Sequence, residues 1–177
     1  MRKMIFLLLV IVVSNQVTAQ IKKGQWLAGG NVNWTTSFNS YGTSTVIKIM
    51  PDVGYFFLDK LAGGLKINHT IVIPGYDSSQ AYSSFGFSPF LRYYFLPATN
   101  TINVFGEASY GWGGFYYNDY DDINHQWSVS VGAAFFLNRY VALEAALNYI
   151  NITEQHGVSG RQKTLGINIG FQVYLGK

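Results

Sequence analysis

The chain has no cysteine, so no disulfide can staple it and no N-terminal cysteine can carry a lipid. Charge is scarce as well. Asp, Glu, Lys and Arg supply 12% of its 177 residues, against roughly 25–35% on an ordinary soluble surface. Basic residues outnumber acidic ones only by 12 to 9 and form no cluster, which excludes the electrostatic footprint of a nucleic-acid binder. Beyond residue 20, no apolar run approaches the roughly 20 residues that a membrane-spanning helix needs. Apolar residues nevertheless reach 49% and aromatic residues 17%, so disorder is excluded too. The length suits one domain.

The first residues have an organisation of their own. Arg2 and Lys3 precede an apolar stretch from Met4 to Val13, followed by Val17-Thr18-Ala19, small at its first and third positions. This basic, apolar, small-residue order is that of a secretory signal, with cleavage expected after Ala19. Ten apolar residues are too few for a membrane anchor. Residues 1–19 are therefore read as a cleaved signal peptide and 20–177 as the mature domain. Without Arg2 and Lys3, ten basic residues face nine acidic ones.

From residue 24 onward, apolar and small polar residues alternate strictly. Eight segments show this period of two: residues 24–36, 45–57, 61–73, 83–95, 102–115, 126–136, 141–150 and 164–175. In the last, Leu165, Ile167, Ile169, Phe171, Val173 and Leu175 alternate with Thr164, Gly166, Asn168, Gly170 and Gln172. The intervening stretches alternate in length: those at 38–44, 74–82, 116–125 and 151–163 read as long polar loops, and those at 58–60, 97–101 and 137–140 as tight turns. Long loops at one end and tight turns at the other describe an up-and-down barrel, and each segment matches the 9–11 tilted residues that span a bilayer. The expected fold is all-β: an eight-stranded antiparallel transmembrane β-barrel.

The composition of the two phases decides which faces outward. A soluble barrel would show water a surface rich in Lys and Glu. Here the polar phase is mostly Gly, Ser, Asn and Thr, which suits a crowded lumen and makes a poor solvated surface. All four tryptophans fall in the apolar phase near strand ends, Trp26 at one rim and Trp34, Trp112 and Trp127 at the other. Membrane barrels place aromatic girdles there.

Several segments resemble the small outer-membrane β-barrel family, porin-like proteins built on the outer membrane protein beta-barrel domain. Pro51-Asp52-Val53-Gly54-Tyr55-Phe56, with Asp59-Lys60-Leu61-Ala62-Gly63-Gly64-Leu65, is similar to its second hairpin. Ser88-Pro89-Phe90-Leu91-Arg92-Tyr93-Tyr94-Phe95 and the run from Phe135 to Glu144 are similar to later ones. The resemblance implies an eight-stranded barrel, usually without an assigned enzymatic or transport role, and carries no catalytic residue or cofactor onto this chain.

Three groups of residues stand out within this frame. Lys48, Lys66 and Arg92 share the inward phase with Asp52, Glu107 and Glu144, three charges of each sign. Such a balance suggests a paired lumen network, with hairpin arithmetic setting Arg92 opposite Glu107 and Asp52 opposite Lys66. Asn168, Gly170, Val173 and Leu175 resemble the C-terminal signal read by the barrel-assembly machinery, although the chain ends in Gly176-Lys177 rather than an aromatic residue. Finally, Asp119, Asp121 and Asp122 crowd one loop beside His125 and precede Ser128, while Asp77, His69 and His156 lie elsewhere. A rim His/Asp/Ser enzyme or a cation site is conceivable there, but no motif fixes either, and a solvated loop is the simpler expectation.

The expected function is that of an exported outer-membrane protein with a structural or interaction role at the cell surface of a Gram-negative-type cell. An eight-stranded lumen is filled by its own side chains, so no open diffusion pore is expected. The expected partners are outer-membrane lipid, lipopolysaccharide and, during biogenesis, the assembly machinery. The alternatives are a narrow channel or apolar-solute conduit and, less readily, a lipid-modifying enzyme.

Overall fold

Eight strands run up and down in chain order: β1 (Trp26–Asn39), β2 (Gly42–Leu58), β3 (Leu61–Ile73), β4 (Tyr82–Tyr94), β5 (Ile102–Tyr117), β6 (Tyr120–Phe136), β7 (Val141–Thr153) and β8 (Arg161–Leu175). Each pairs antiparallel with its sequence neighbours, and β1 meets β8 to close the barrel. The computed structural model describes residues 21–39, 42–73, 81–117, 120–153 and 161–176. The leader, Asp77, Asp119 and His156 lie outside them.

The tight turns gather at one end. Two residues, Asp59 and Lys60, separate β2 from β3, and Lys60 adopts a left-handed φ of 67° to make the reversal. Between β6 and β7, the Asn138 carboxamide oxygen accepts from the backbone N–H groups of Tyr140 and Val141 at 2.8 and 2.9 Å. Between β4 and β5, Asn103 plays the same part, accepting from Leu96 N at 3.0 Å and donating to Leu96 O at 3.1 Å. In each case a short polar side chain stands in for the missing ladder.

The described residues of two expected long loops, 38–39 with 42–44 and 116–117 with 120–125, prove to be strand. Pairing runs to Asn39↔Gly42 in the β1–β2 hairpin and to Tyr117↔Tyr120 in the β5–β6 hairpin. Asp and Asn suggest turns, but these stretches also hold Thr, Phe and Tyr, whose β-branched and aromatic side chains favour extended backbone. Pro51 and Pro89 sit inside strands, each paired on one side and unpaired on the other. A proline has no N–H to give, so one ladder stays intact and the other skips a rung.

The outward phase is apolar all the way round. Val32, Ile49, Leu65, Phe87, Val104, Val129, Leu147 and Ile167, one from each strand, are all exposed. A soluble monomer rarely shows a contiguous apolar patch beyond a few hundred Å², so a continuous belt of this kind fits only lipid. Aromatic residues edge it: Trp26 packs on Tyr55 with ring centroids 5.1 Å apart at one end, and Trp127 on Tyr149 at 5.5 Å near the other.

The inward phase builds a floor. Leu27, Phe56, Tyr94, Phe105, Phe136 and Tyr174 are buried together at the tight-turn end. Beneath them the N-terminal segment 21–25 folds under the barrel and buries Ile21. Backbone bonds fix it there, Gly24 N to Phe56 O at 2.8 Å and Lys60 N to Ile21 O at 2.9 Å. Toward the opposite end the inward residues Lys48, Asn68, Ser109 and Ser128 are only half-buried. The lumen is a cup.

Candidate functional site in the lumen

The floor carries a charged layer centred on Arg92. Its guanidinium is fully buried and reaches two carboxylates on different strands. Nε donates to Glu107 Oε2 at 2.8 Å, and NH2 lies 2.7 Å from the same oxygen. NH1 donates to both oxygens of Glu144 at 3.0 Å, across the lumen from β4 to β7. The cation also stacks over the Phe105 ring, 4.6 Å from its centroid. Lys66 Nζ is ion-paired to Glu107 Oε1, so Glu107 is shared between two cations. Above the aromatic floor, the hydroxyls of Tyr94 and Tyr174 share a hydrogen bond at 2.8 Å and both approach Glu144 Oε1. Buried charges persist only when paired and hydrogen-bonded, and here Arg92, Glu107 and Glu144 each have at least two polar partners.

The layer differs from the expected three-against-three network in two ways. Register sets Asp52 opposite Lys66, but the Lys66 ammonium goes to Glu107 instead. Asp52 is satisfied from the other side, by Gln172 Nε2 at 2.8 and 3.0 Å from its two oxygens. That bond passes over β1 at Gly29, the Cα partner of both residues, where no side chain intervenes. Lys48 is the second departure. It stands higher on β2, opposite Asn33 and Thr70, and no described carboxylate is within ion-pair distance. Two residues further along the strand from the buried Met50, it has left the packed layer.

The other candidates separate. His125 and Ser128 are three residues apart on β6, an odd spacing that puts them on opposite faces. His125 Nδ1 meets the outward Tyr110 hydroxyl at 3.3 Å, while Ser128 shares a hydrogen bond with the inward Ser109 at 2.7 Å. No His/Ser pair assembles from them. His69 stacks on the outward Phe85, centroids 4.3 Å apart. The side chains of Asp121 and Asp122 lie outside the described residues, and among the described residues no cluster of metal-ligating side chains occurs.

Of the C-terminal residues, Asn168 and Gly170 face the lumen side of β8, whereas Val173 and Leu175 lie in the outward phase. Gly170 is needed for a close approach: a Cβ there would stand 2.3 Å from Gly30 O and 2.4 Å from Asn31 Oδ1. Sequence reasoning missed Gln172, Tyr94, Tyr174 and Ile21. Parity assigns the first three inward, but nothing in the sequence says that they meet.

A lipid-facing belt around a lumen closed by its own side chains defines the class, an integral eight-stranded membrane β-barrel. The chain belongs to the outer membrane protein beta-barrel domain family, whose model matches residues 5–173. Among solved structures it is similar to Neisserial surface protein A, at a TM-score of 0.62 and 14% identity, over 85% of this chain and 97% of that one. It is also similar to the outer membrane protein OprG from Pseudomonas aeruginosa, at 0.52 and 14%, over 90% and 99% of the two chains. At that identity the likeness is one of fold. No curated protein sequence matches the chain.

Proposed function

We propose that this protein is an integral outer-membrane barrel with a structural or interaction role at the cell surface, and that it is neither a diffusion pore nor an enzyme. The observation that carries the reading is the Arg92 layer. Ion pairs join β4 to β5 and β7, and the Tyr94–Tyr174 bond joins β4 to β8, so the lumen is braced across its width. A solute would have to break buried ion pairs to pass, and each broken pair costs about 3–5 kcal/mol. The separation of His125 from Ser128 supports the non-enzymatic part. In this reading residues 1–19 are removed on export, outer-membrane lipid and lipopolysaccharide contact the belt, and β8 offers Asn168, Gly170, Val173 and Leu175 to the assembly machinery as an added strand.

Planar-bilayer recording on the purified barrel tests the pore-free reading. No discrete conductance steps are expected. Steady single-channel steps that vanish when the barrel is denatured would replace it with a channel. A second reading, an apolar-solute conduit with a sideways exit, is favoured by one observation only, the incomplete pairing of β1 with β8.

A further inference from the structure

Above the Arg92 layer the lumen wall divides into two unlike halves. Across β3 to β6 the inward polar side chains satisfy one another. Asn68 Nδ2 donates to Ser88 Oγ at 2.7 Å, Gln126 Nε2 donates to the same hydroxyl at 3.4 Å, and Ser109 shares a hydrogen bond with Ser128 at 2.7 Å. Across β7, β8, β1 and β2 they do not. Asn31 and Asn148 are 7% and 8% exposed, yet neither carboxamide has a hydrogen-bond partner among the described residues, and Asn148 Oδ1 is itself buried. Lys48 adds a half-buried ammonium without a described carboxylate in ion-pair reach.

Register gathers these three groups on one side of the cup. The Cα partners of Asn31 are Met50 on β2 and Gly170 on β8, and Lys48 is the next residue on the same face of β2 beyond Met50. A Cβ on Gly170 would lie 2.4 Å from Asn31 Oδ1, so this carboxamide leans over β8 toward β7. The Cα partner of Asn148 is Gly166, where a Cβ would meet, among the described residues, only Asn33 Nδ2 at 3.7 Å. The wall therefore steps back beside Asn148 and leaves a notch that opens toward the mouth of the cup.

A buried amide without a partner is costly, so these two are satisfied from the lumen rather than from the wall. A carboxamide sets a donor beside an acceptor, and so does a pair of neighbouring hydroxyls. The ammonium supplies further donors to hydroxyl or ring oxygens. Charge narrows the class. Among the described inward residues Lys48, Lys66 and Arg92 already balance Asp52, Glu107 and Glu144, so a charged ligand would leave an uncompensated charge in the lumen. None of the three groups is aromatic, so a flat ring finds nothing in them to stack on.

We infer that the cup binds one neutral, polyhydroxylated unit, a hexopyranose, with its hydroxyls on the Asn31 and Asn148 carboxamides and the Lys48 ammonium. An eight-stranded barrel has room for one small ligand of this kind. The proposal goes beyond the structural or interaction role by giving the lumen a ligand.

The test uses the full barrel in lipid nanodiscs and saturation-transfer NMR, with the methyl pyranosides of glucose, galactose and mannose as probes. At least one should receive saturation and be displaced by its free sugar. The matching uronate and the matching amino sugar should each bind about fivefold more weakly than that probe. Asn148→Leu and Lys48→Met should each weaken binding about tenfold, the scale of one or two lost hydrogen bonds. Lys163→Gln, on the outward face, should leave it unchanged. The empty Asn148→Leu barrel should unfold at a urea concentration no lower than wild type, because no protein hydrogen bond is lost, which separates lost binding from lost fold. No saturation of any of the three sugars, wild-type binding by Asn148→Leu, tighter binding of the uronate or the amino sugar, or a urea midpoint of Asn148→Leu well below wild type would each overturn the site. A barrel that conducts yet binds the sugar would sink the pore-free reading and spare this one; a silent barrel that binds none would do the reverse.

Discussion

Gln172 donates through Nε2 to both carboxylate oxygens of Asp52, 120 residues away, over the backbone of β1 at Gly29. The bond closes the ring at the level where the barrel's first and last strands meet. It also explains why β1 carries glycine there: a Cβ on Gly29 would lie 2.1 Å from Phe171 O and 2.6 Å from Gln172 Oε1. A missing side chain at one position lets two others touch.

Gly170 and Gly166 make that argument testable on one strand. A Cβ at Gly170 meets backbone at 2.3 Å, whereas at Gly166 it meets only Asn33 Nδ2, at an ordinary contact distance of 3.7 Å. Gly170→Ala should therefore cost about 1–3 kcal/mol, the usual range for overpacking a tight site. Gly166→Ala should fall within about 0.5 kcal/mol of wild type, as surface changes do. Urea midpoints in vesicles give both values. Equal losses would mean that the seam is zipped along its whole length.

Arg92 gives a second prediction. Arg92→Met strips a buried cation from two carboxylates and should cost about 3–5 kcal/mol. The two are not left alike, because among the described residues Glu107 keeps Lys66 while Glu144 keeps only the Tyr94 and Tyr174 hydroxyls at 3.5 and 3.4 Å. Adding Glu144→Gln to Arg92→Met should thus restore more stability than adding Glu107→Gln. Double-mutant cycles measure each coupling. Strictly additive losses for the Glu144 pair would show that the cross-lumen bond contributes nothing.

A third concerns the faces. Leu65 and Leu147 point into lipid at mid-strand, where Arg costs about 2–4 kcal/mol near the midplane. Ser130 faces the lumen with Glu107 and Asn148 as its Cα partners, so Arg there meets a carboxylate and polar neighbours. Ser130→Arg should unfold at a higher urea concentration than Leu65→Arg or Leu147→Arg. The opposite order would invert the barrel.

Much of this architecture is written locally. A period of two fixes the face of every residue, and a short turn fixes the register of its hairpin, which is why Arg92 and Glu107 can be placed side by side by counting. Lumen contacts between distant strands are a different matter. Arg92 meets Glu144, and Gln172 meets Asp52, only because the sheet closes, and closure leaves no trace in spacing. Strand ends at 38–44 and 116–125 were hidden for a third reason: Asn, Asp and Ser signal turns, whereas the Thr and Tyr beside them carry the pairing through. The extent of the β1–β8 register, Trp26 to Val32, is also a property of closure, invisible in either strand alone.

The last prediction is the orientation of the barrel. An even number of strands returns both ends of the sheet to one side, and that side holds the tight turns, the aromatic floor and the tucked segment 21–25. In outer-membrane barrels the short turns face the periplasm. The β5–β6 hairpin, paired out to Tyr117↔Tyr120, then projects from the cell. An epitope inserted between residues 118 and 119 should be stained on intact cells, whereas one inserted in the β6–β7 turn at Asn138 should need permeabilisation. Neither insertion point falls within a strand, so the comparison stays internal to one barrel. Staining of the Asn138 tag alone on intact cells would reverse the barrel, and would place the cup's open end and its half-zipped seam toward the periplasmic leaflet.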